Sequence, residues 1–171
     1  MTTSLRLALI AGLGALLTSC ADQPAAKPAV VQSARASHLC HVRTTAYCRF
    51  EGSGSRNAIG QRLSSRHVMS AASDWSRYPL GTRFRIAGTN DEYVIDDYGT
   101  ALIGTNTIDL YKPSKLEMRR WGVRHVDIDV LQWGSREQSL KVLSPRKKHS
   151  QVRQMIAAME KQPKSTTVAS D

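Results

Sequence analysis

The segment from Glu92 to Tyr111 constrains the fold and chemistry of this 171-residue chain more than any other. Two apolar alternations at strand spacing flank a loop rich in Gly and Thr; Asp96 and Asp97 end the first, and Asp109 interrupts the second. Side chains alternate between the two faces of a strand, so Asp109 points away from its apolar neighbours, toward a groove or solvent. Only one of Asp96 and Asp97 can share a site with it.

Short strands are predicted along most of residues 40–134. Apolar alternation and β-branched residues predict strands at 41–48, 67–72, 82–87 and 125–131. A single short helix is predicted from Lys115 to Trp121, capped by Ser114 and ended by Gly122. Many short strands with turn signals between them favour an all-β, closed barrel over an α/β sheet.

The N-terminus has the pattern of an export signal. One Arg precedes an apolar run too short for a membrane span, and Leu17-Thr18-Ser19-Cys20 follows. This tetrad resembles the lipobox of bacterial lipoproteins, so residues 1–19 are predicted to be a signal peptide and Cys20 a lipidated residue that anchors the chain to a membrane. An ordinary secretory peptide is the alternative. Ala21, where Asp would be the retention signal, favours the periplasmic face of the outer membrane.

Residues 20–39 are rich in Ala, Pro and Ser and are predicted to be a lipidated tether, with the folded domain beginning at residue 40. The cysteines that follow are Cys40 and Cys48. Because an exported compartment is oxidising, a disulfide between them is expected. A free, buried Cys48 is the alternative.

The positive charge is concentrated at the C-terminus. The formal net charge is +10, and residues 135–171 carry eight Lys and Arg against three acids. Val152 to Lys161 has helical propensity with an apolar stripe of Val152, Ile156 and Met159. This basic, partly helical tail suits an anionic envelope surface, or is simply solvated. A nucleic acid partner is not expected for an exported lipoprotein.

Several segments together resemble the 3D domain, a family named for three aspartates and shared with membrane-bound lytic transglycosylase A and stationary-phase survival muralytic enzymes. The resemblance covers roughly residues 44–133. The segments are Asp74 with Pro79-Leu80-Gly81-Thr82, Asp97-Tyr98-Gly99, Ile108-Asp109-Leu110-Tyr111, and Trp121-Gly122 with the strand that follows.

The resemblance implies a six-stranded double-psi β-barrel for residues 40–134 and puts the family's aspartates at Asp74, Asp97 and Asp109. Tyr98 and Gly99 would contact substrate. Two departures stand out: Tyr98 replaces the family's usual Thr, and the loop before Asp109 is one residue longer, with Ile103 where a Lys is common.

The resemblance also implies a peptidoglycan lytic transglycosylase, which cleaves the MurNAc-GlcNAc bond and leaves 1,6-anhydro-muropeptides. This chemistry needs a carboxylic acid still protonated near neutral pH, and clustered, partly buried carboxylates provide one. Asp97 is the expected acid/base, with Asp109 and Asp74 tuning it. Tyr47 is expected to stack on a sugar or to pack in the barrel core.

Alternative interpretations remain open at this point. The chain could be a non-catalytic, expansin-like wall-binding lipoprotein or an inverting hydrolase, and Asp96 and Asp97 could form an Asx turn. No cofactor is expected. A metal held by Asp with His67 or His125 has no supporting ligand spacing. The sequence does not indicate an oligomeric state.

Overall fold

The structure, a computed structural model, describes residues 37–51 and 54–162. The described residues all belong to one compact unit. The predicted signal peptide and the lipidation site at Cys20 lie outside the described residues. No helix among the described residues is long and apolar enough to cross a membrane.

Six strands form a closed barrel, mostly β, consistent with the predicted double-psi barrel. In order along the chain they are β1 (Ser37–Tyr47), β2 (Val68–Ala72), β3 (Arg83–Ile86), β4 (Glu92–Asp97), β5 (Thr107–Tyr111) and β6 (Arg124–Gln132). Around the barrel the order is β1-β5-β2-β4-β3-β6. The pairs β1/β5 and β2/β4 are parallel and the other four are antiparallel.

The described residues also contain three α-helices: α1 (Lys115–Trp121), α2 (Arg136–Leu143) and α3 (Ser150–Lys161). The predicted caps of α1 are present, since Ser114 accepts the Glu117 N–H and the Gly122 N–H bonds back to Met118. The sequence interpretation missed α2. Ser135 caps it by accepting the Gln138 N–H.

The main core fills the barrel with side chains from every strand, including Val42, Ala71, Phe84, Ile95, Ile108 and Ile128. The helical C-terminal extension belongs to the same core. Leu143, Val152, Met155, Ile156 and Met159 are buried in it. The apolar stripe predicted on α3 therefore packs against the barrel, and only the outer face of this basic segment is solvated.

Two sequence expectations need correction. β1 begins at Ser37, inside the predicted tether of residues 20–39. Cys40 and Cys48 are both free thiols, the first exposed and the second buried, so the predicted disulfide is absent. The reason is that β1 separates them: eight residues at about 3.3 Å each put them roughly 25 Å apart, whereas a disulfide needs Cα atoms within about 7 Å.

Candidate active site

A row of aligned residues across four strands builds the candidate site. Ala72 on β2 pairs with Asp97 on β4 and with Asp109 on β5, and Asp109 pairs in turn with Thr45 on β1. Strands lie about 4.8 Å apart, so the register puts the backbones of Asp97 and Asp109 about 10 Å apart. Ala72 stands between them with a single methyl group, which leaves a hollow for the two carboxylates to face.

This hollow is a cleft of about 190 Å³, called here the acidic cleft. Its face is opposite the main core, because Ala71, Ile108 and Leu110 point into the barrel while their neighbours Ala72 and Asp109 point out. The lining residues are Tyr47, Glu51, Ala72, Asp97, Tyr98, Gly99 and Asp109. Five of the residues predicted from sequence thus lie around one cleft.

Asp97 is the carboxylate whose environment most favours the protonated form. It is only 8% exposed. Burial raises the pKa of Asp97 to about 6, and the charge of Asp96 adds to this. The N–H of Tyr98 donates to Asp97 at 2.9 Å and, with that of Ala58, acts in the opposite direction. Asp97 can therefore change its protonation state near neutral pH.

Asp109 differs from Asp97 in its partners. Its Oδ1 accepts a 2.6 Å hydrogen bond from the Thr45 hydroxyl. Burial raises the pKa of Asp109, the Thr45 bond and the charge of Arg43 lower it, and the nearby Glu51 raises it. The cleft thus holds two carboxylates in unlike environments, the arrangement that separates an acid from a charged neighbour.

Asp96 belongs to the scaffold behind the cleft. A bulge in β4 makes it the extra residue between Ile95 and Asp97, and its Oδ2 accepts bonds from Asn57 (2.8 Å) and Ser70 (2.6 Å). Its Oδ1 is buried without a partner among the described residues, and burial raises the pKa of this carboxyl. Because of the bulge, Asp96 bonds to the scaffold behind the cleft, while the next residue, Asp97, lines the cleft.

Tyr47 does not offer a ring face to a sugar. It is buried, packs edge-on against Tyr111 at 5.5 Å, and forms a small core with Ala72, Leu102 and Tyr111. Burial and the charges of Asp97, Asp96 and Asp109 raise the pKa of its hydroxyl. The hydroxyl has no hydrogen bond of normal geometry among the described residues, yet lies close enough to Asp97 to favour its ionised form. The Tyr47 hydroxyl therefore lowers the pKa of Asp97, against the effect of burial.

Tyr98 and Gly99 form the rim of the acidic cleft, where the C-terminal extension also reaches. The Tyr98 ring lies edge-on to Trp75 at 5.2 Å, and the Arg146 guanidinium lies 5.8 Å above it. Arg146 also donates to the carbonyl of Ala58 at 2.6 Å. The C-terminal extension thus holds the loop that contains Ala58, whose backbone N–H acts on Asp97. The cation missing at Ile103 has no replacement among the residues that line the cleft.

Asp74 lies outside the acidic cleft, contrary to the role expected for it. It is 2% exposed. Its Oδ1 accepts the Ser76 N–H and its Oδ2 the Gly104 N–H, both at 2.8 Å. Asp74 therefore ties the loop after β2 to the loop between β4 and β5. It shapes the cleft indirectly, through the segment that carries Gly99, and touches neither Asp97 nor Asp109 by any hydrogen bond described.

We expect Asp74→Ala to lower the free energy of unfolding by about 2 kcal/mol, because the buried N–H of Ser76 and the partly buried N–H of Gly104 would both lose their acceptor. Asp74→Asn keeps one oxygen and should lose about half as much. Urea unfolding followed by circular dichroism measures both. Unchanged stability in Asp74→Ala would contradict the bracing role and return this residue to the group of candidate catalytic acids.

Sequence reasoning missed two residues of the cleft, Glu51 and Ala72. Glu51 lies just after β1 in a Gly/Ser loop, and its only sequence signal is an acid beside Tyr47. Ala72 ends the run of small residues Ser70-Ala71-Ala72, and its small side chain opens the hollow.

A comparison with known families finds a match within the barrel. No curated protein matches the chain. The model of the 3D domain family matches residues 69–132, from the start of β2 to the end of β6. Asp74, Asp97 and Asp109 all fall inside the match, while Tyr47 and Glu51 on or beside β1 fall outside it. Residues 69–132 are therefore similar to the 3D domain, and this match covers five of the six barrel strands and both aspartates of the acidic cleft.

Proposed function

We propose that this protein is a peptidoglycan lytic transglycosylase in which Asp97 is the single acid/base. The 3D domain is consistent with a barrel that acts on the cell wall. The observation that supports the finer proposal is the environment of Asp97, a carboxyl that lines an open cleft and has a pKa of about 6. Such a group is a proton donor at the pH where an ordinary Asp, with a pKa near 3.9, is not.

The first step is protonation of the leaving oxygen. At pH 7 a carboxyl with a pKa of about 6 is about one-tenth protonated, against about one in a thousand for an ordinary Asp. Asp97 donates its proton to the glycosidic oxygen as the C1–O bond breaks, and positive charge develops at C1 of the MurNAc ring. The carboxylate of Asp109, on the other side of Ala72, faces that charge and stabilises it.

The second step returns the proton to Asp97. Now ionised, Asp97 takes the proton of the sugar's own C6 hydroxyl, whose oxygen bonds to C1 and forms the 1,6-anhydro ring. No water is consumed, and the carboxyl is ready for another cycle. The buried Tyr47 hydroxyl favours the ionised form of Asp97 at this stage, because it lies beside the carboxylate.

Digestion of purified sacculi tests the proposal. The soluble products are separated and identified by mass spectrometry, with an established lytic transglycosylase in parallel. Anhydro-muropeptides support the mechanism above. Reducing-end products would instead indicate a hydrolase, and binding to sacculi without any product would indicate an expansin-like wall-binding protein.

The rate of product release should depend on pH through Asp97. The reactive form is the protonated one, so kcat/KM should be level below pH of about 6 and fall about tenfold for each pH unit above it. Initial rates between about pH 4.5 and 8 measure this. A rate that rises across that range would contradict the assignment of Asp97 as the acid.

A further inference from the structure

A second cluster of reactive side chains lies at the opposite end of β1 from Tyr47. His38 and Cys40 lie two residues apart on β1, and Asp127 lies on the neighbouring strand β6. A register shift between Leu39 and Val42, with a positive φ of 55° at His41, interrupts the ladder at this point. One ligand atom from each of His38, Cys40 and Asp127 lies within 4.8 Å of the other two.

Hydrogen bonds already orient two of these groups. Asp129 Oδ1 lies 2.8 Å from His38 Nδ1, and a carboxylate there accepts the Nδ1 proton, which leaves Nε2 with a free lone pair. The Oδ1 of Asp127 accepts the backbone N–H of His41 at 2.8 Å, so its Oδ2 remains available, 3.9 Å from His38 Nε2. The free atoms of both side chains thus face each other.

We propose that His38, Cys40 and Asp127 bind a zinc ion, with Asp129 holding the His38 ring in the binding tautomer. An imidazole nitrogen, a thiolate and a carboxylate oxygen are the ligand types that zinc takes. A carboxylate on the far nitrogen of a ligand histidine is the usual support for such a site. The negative charges of the two carboxylates and the thiolate exceed the single positive charge of Arg77, which lines the adjoining cleft.

The dimensions of the cluster fit this ion. Bonds of about 2.0 Å to nitrogen and oxygen and about 2.3 Å to sulfur put tetrahedral ligand atoms about 3.3–3.7 Å apart. The three side chains are exposed, so small side-chain rotations suffice to close the remaining gap. A fourth position remains open toward a cleft of about 480 Å³ that His38 and Cys40 line together with Tyr78 and Trp133. This cleft is the entry path.

The zinc site would be separate from the acidic cleft. Cys40 and Tyr47 are seven residues apart on one extended strand, about 23 Å at strand spacing. The bound ion would join β1 to β6 across the bulge, where the ladder lacks regular pairing. Zinc binding at this site is therefore independent of the reaction at Asp97.

Zinc titration of the full chain, expressed without a polyhistidine tag and kept reduced, tests the site. Competition with a chromophoric zinc indicator should give one ion per chain at micromolar zinc. Cys40→Ser and His38→Asn should lose this binding. Asp129→Asn should weaken it by about 10- to 100-fold, because it removes the support of the ligand histidine. Cobalt in place of zinc should show a thiolate charge-transfer absorption that disappears in Cys40→Ser.

Matched controls are available elsewhere in the chain. Cys48→Ala and His149→Gln remove a thiol and an imidazole outside the cluster and should bind zinc like the wild type. Far-ultraviolet circular dichroism shows that each variant is folded before the titration. No stoichiometric binding by the wild-type protein would overturn the proposal, and so would undiminished binding by Cys40→Ser.

Discussion

Asp97→Asn protein is expected to release anhydro-muropeptides from sacculi at least about 100-fold more slowly than wild type. The amide keeps the size of the side chain and an oxygen that can accept the Tyr98 N–H, but it has no proton to give to the leaving oxygen. Sacculus binding should be retained. Mass spectrometry of the soluble fraction over a time course measures the rate, and a pull-down with sacculi measures the binding.

The matched control is Asp91→Asn, on the exposed turn between β3 and β4, which should cleave sacculi at the wild-type rate. An Asp97→Asn protein as active as wild type would refute the assignment of the acid. If neither the wild type nor Asp97→Asn gives products while both bind sacculi, the protein is a wall-binding module and the carboxylates are polar contacts.

The same variant is informative about stability. The folded pKa of Asp97, about 6, lies above the ordinary value near 3.9. The stability that this group contributes is therefore complete below pH of about 4 and lost as the pH rises through about 6. The Tm of Asp97→Asn minus that of the wild type should therefore increase as the pH rises from about 4 to about 7. This comparison does not depend on any substrate.

Gly134→Ala is expected to lower the free energy of unfolding by more than about 3 kcal/mol, the largest stability effect we anticipate. The chain leaving β6 crosses the loop before β3 so closely that a Cβ at Gly134 would overlap the carbonyl oxygens of Pro79 and Leu80 and the nitrogen of Thr82. These are backbone atoms, which cannot rotate away.

The crossing is also where the C-terminal extension joins the barrel. The Gly134 N–H donates to the Thr82 hydroxyl at 3.0 Å and the Ser135 N–H to the Leu80 carbonyl at 2.9 Å. A methyl group would break both bonds as it forced the segments apart. Urea unfolding followed by tryptophan fluorescence measures the loss, since Trp75 is buried in the core to which the extension belongs.

Gly99→Ala is the control for this substitution. Its added Cβ would meet only side-chain atoms of Leu102, Cγ and Cδ1 at 3.1 Å, and no backbone. We expect a loss below about 1 kcal/mol for Gly99→Ala. Equal stability of Gly134→Ala and wild type would contradict the close approach of Gly134 to the backbone of Pro79, Leu80 and Thr82.

Strand positions were predictable from this sequence because alternation is a local property. The patterns at 93–97 and 108–110 correspond to β4 and β5, and the cap and stop residues around α1 give its bounds correctly. The alternation also predicted that Ile108 and Leu110 would be buried and that Asp109 would face away from them. The double-psi topology came from resemblance, since local pattern does not specify which strands pair.

Long-range register was not predictable in the same way. Ala72 aligns with both Asp97 and Asp109 because β2 lies between β4 and β5 in the closed barrel. In sequence, however, β3 separates β2 from β4, and both β3 and β4 separate β2 from β5. The bulge that directs Asp96 toward Ser70 and Asn57 likewise cannot be predicted from two consecutive Asp residues. The expected disulfide was wrong because β1 holds Cys40 and Cys48 far apart, a separation that the strand predicted at 41–48 already implied.

The sequence by itself determined the strand pattern, the helix caps, the concentration of positive charge and the identity of the candidate acids, all of which depend on residues close together in the chain. Tertiary structure alone decided that Asp97 and Asp109 share a cleft, that Asp74 braces loops, and that His38, Cys40 and Asp127 converge. The physical reason is barrel closure: it sets the neighbours of each strand and the burial of each carboxyl, and burial is the main cause of the raised pKa of Asp97.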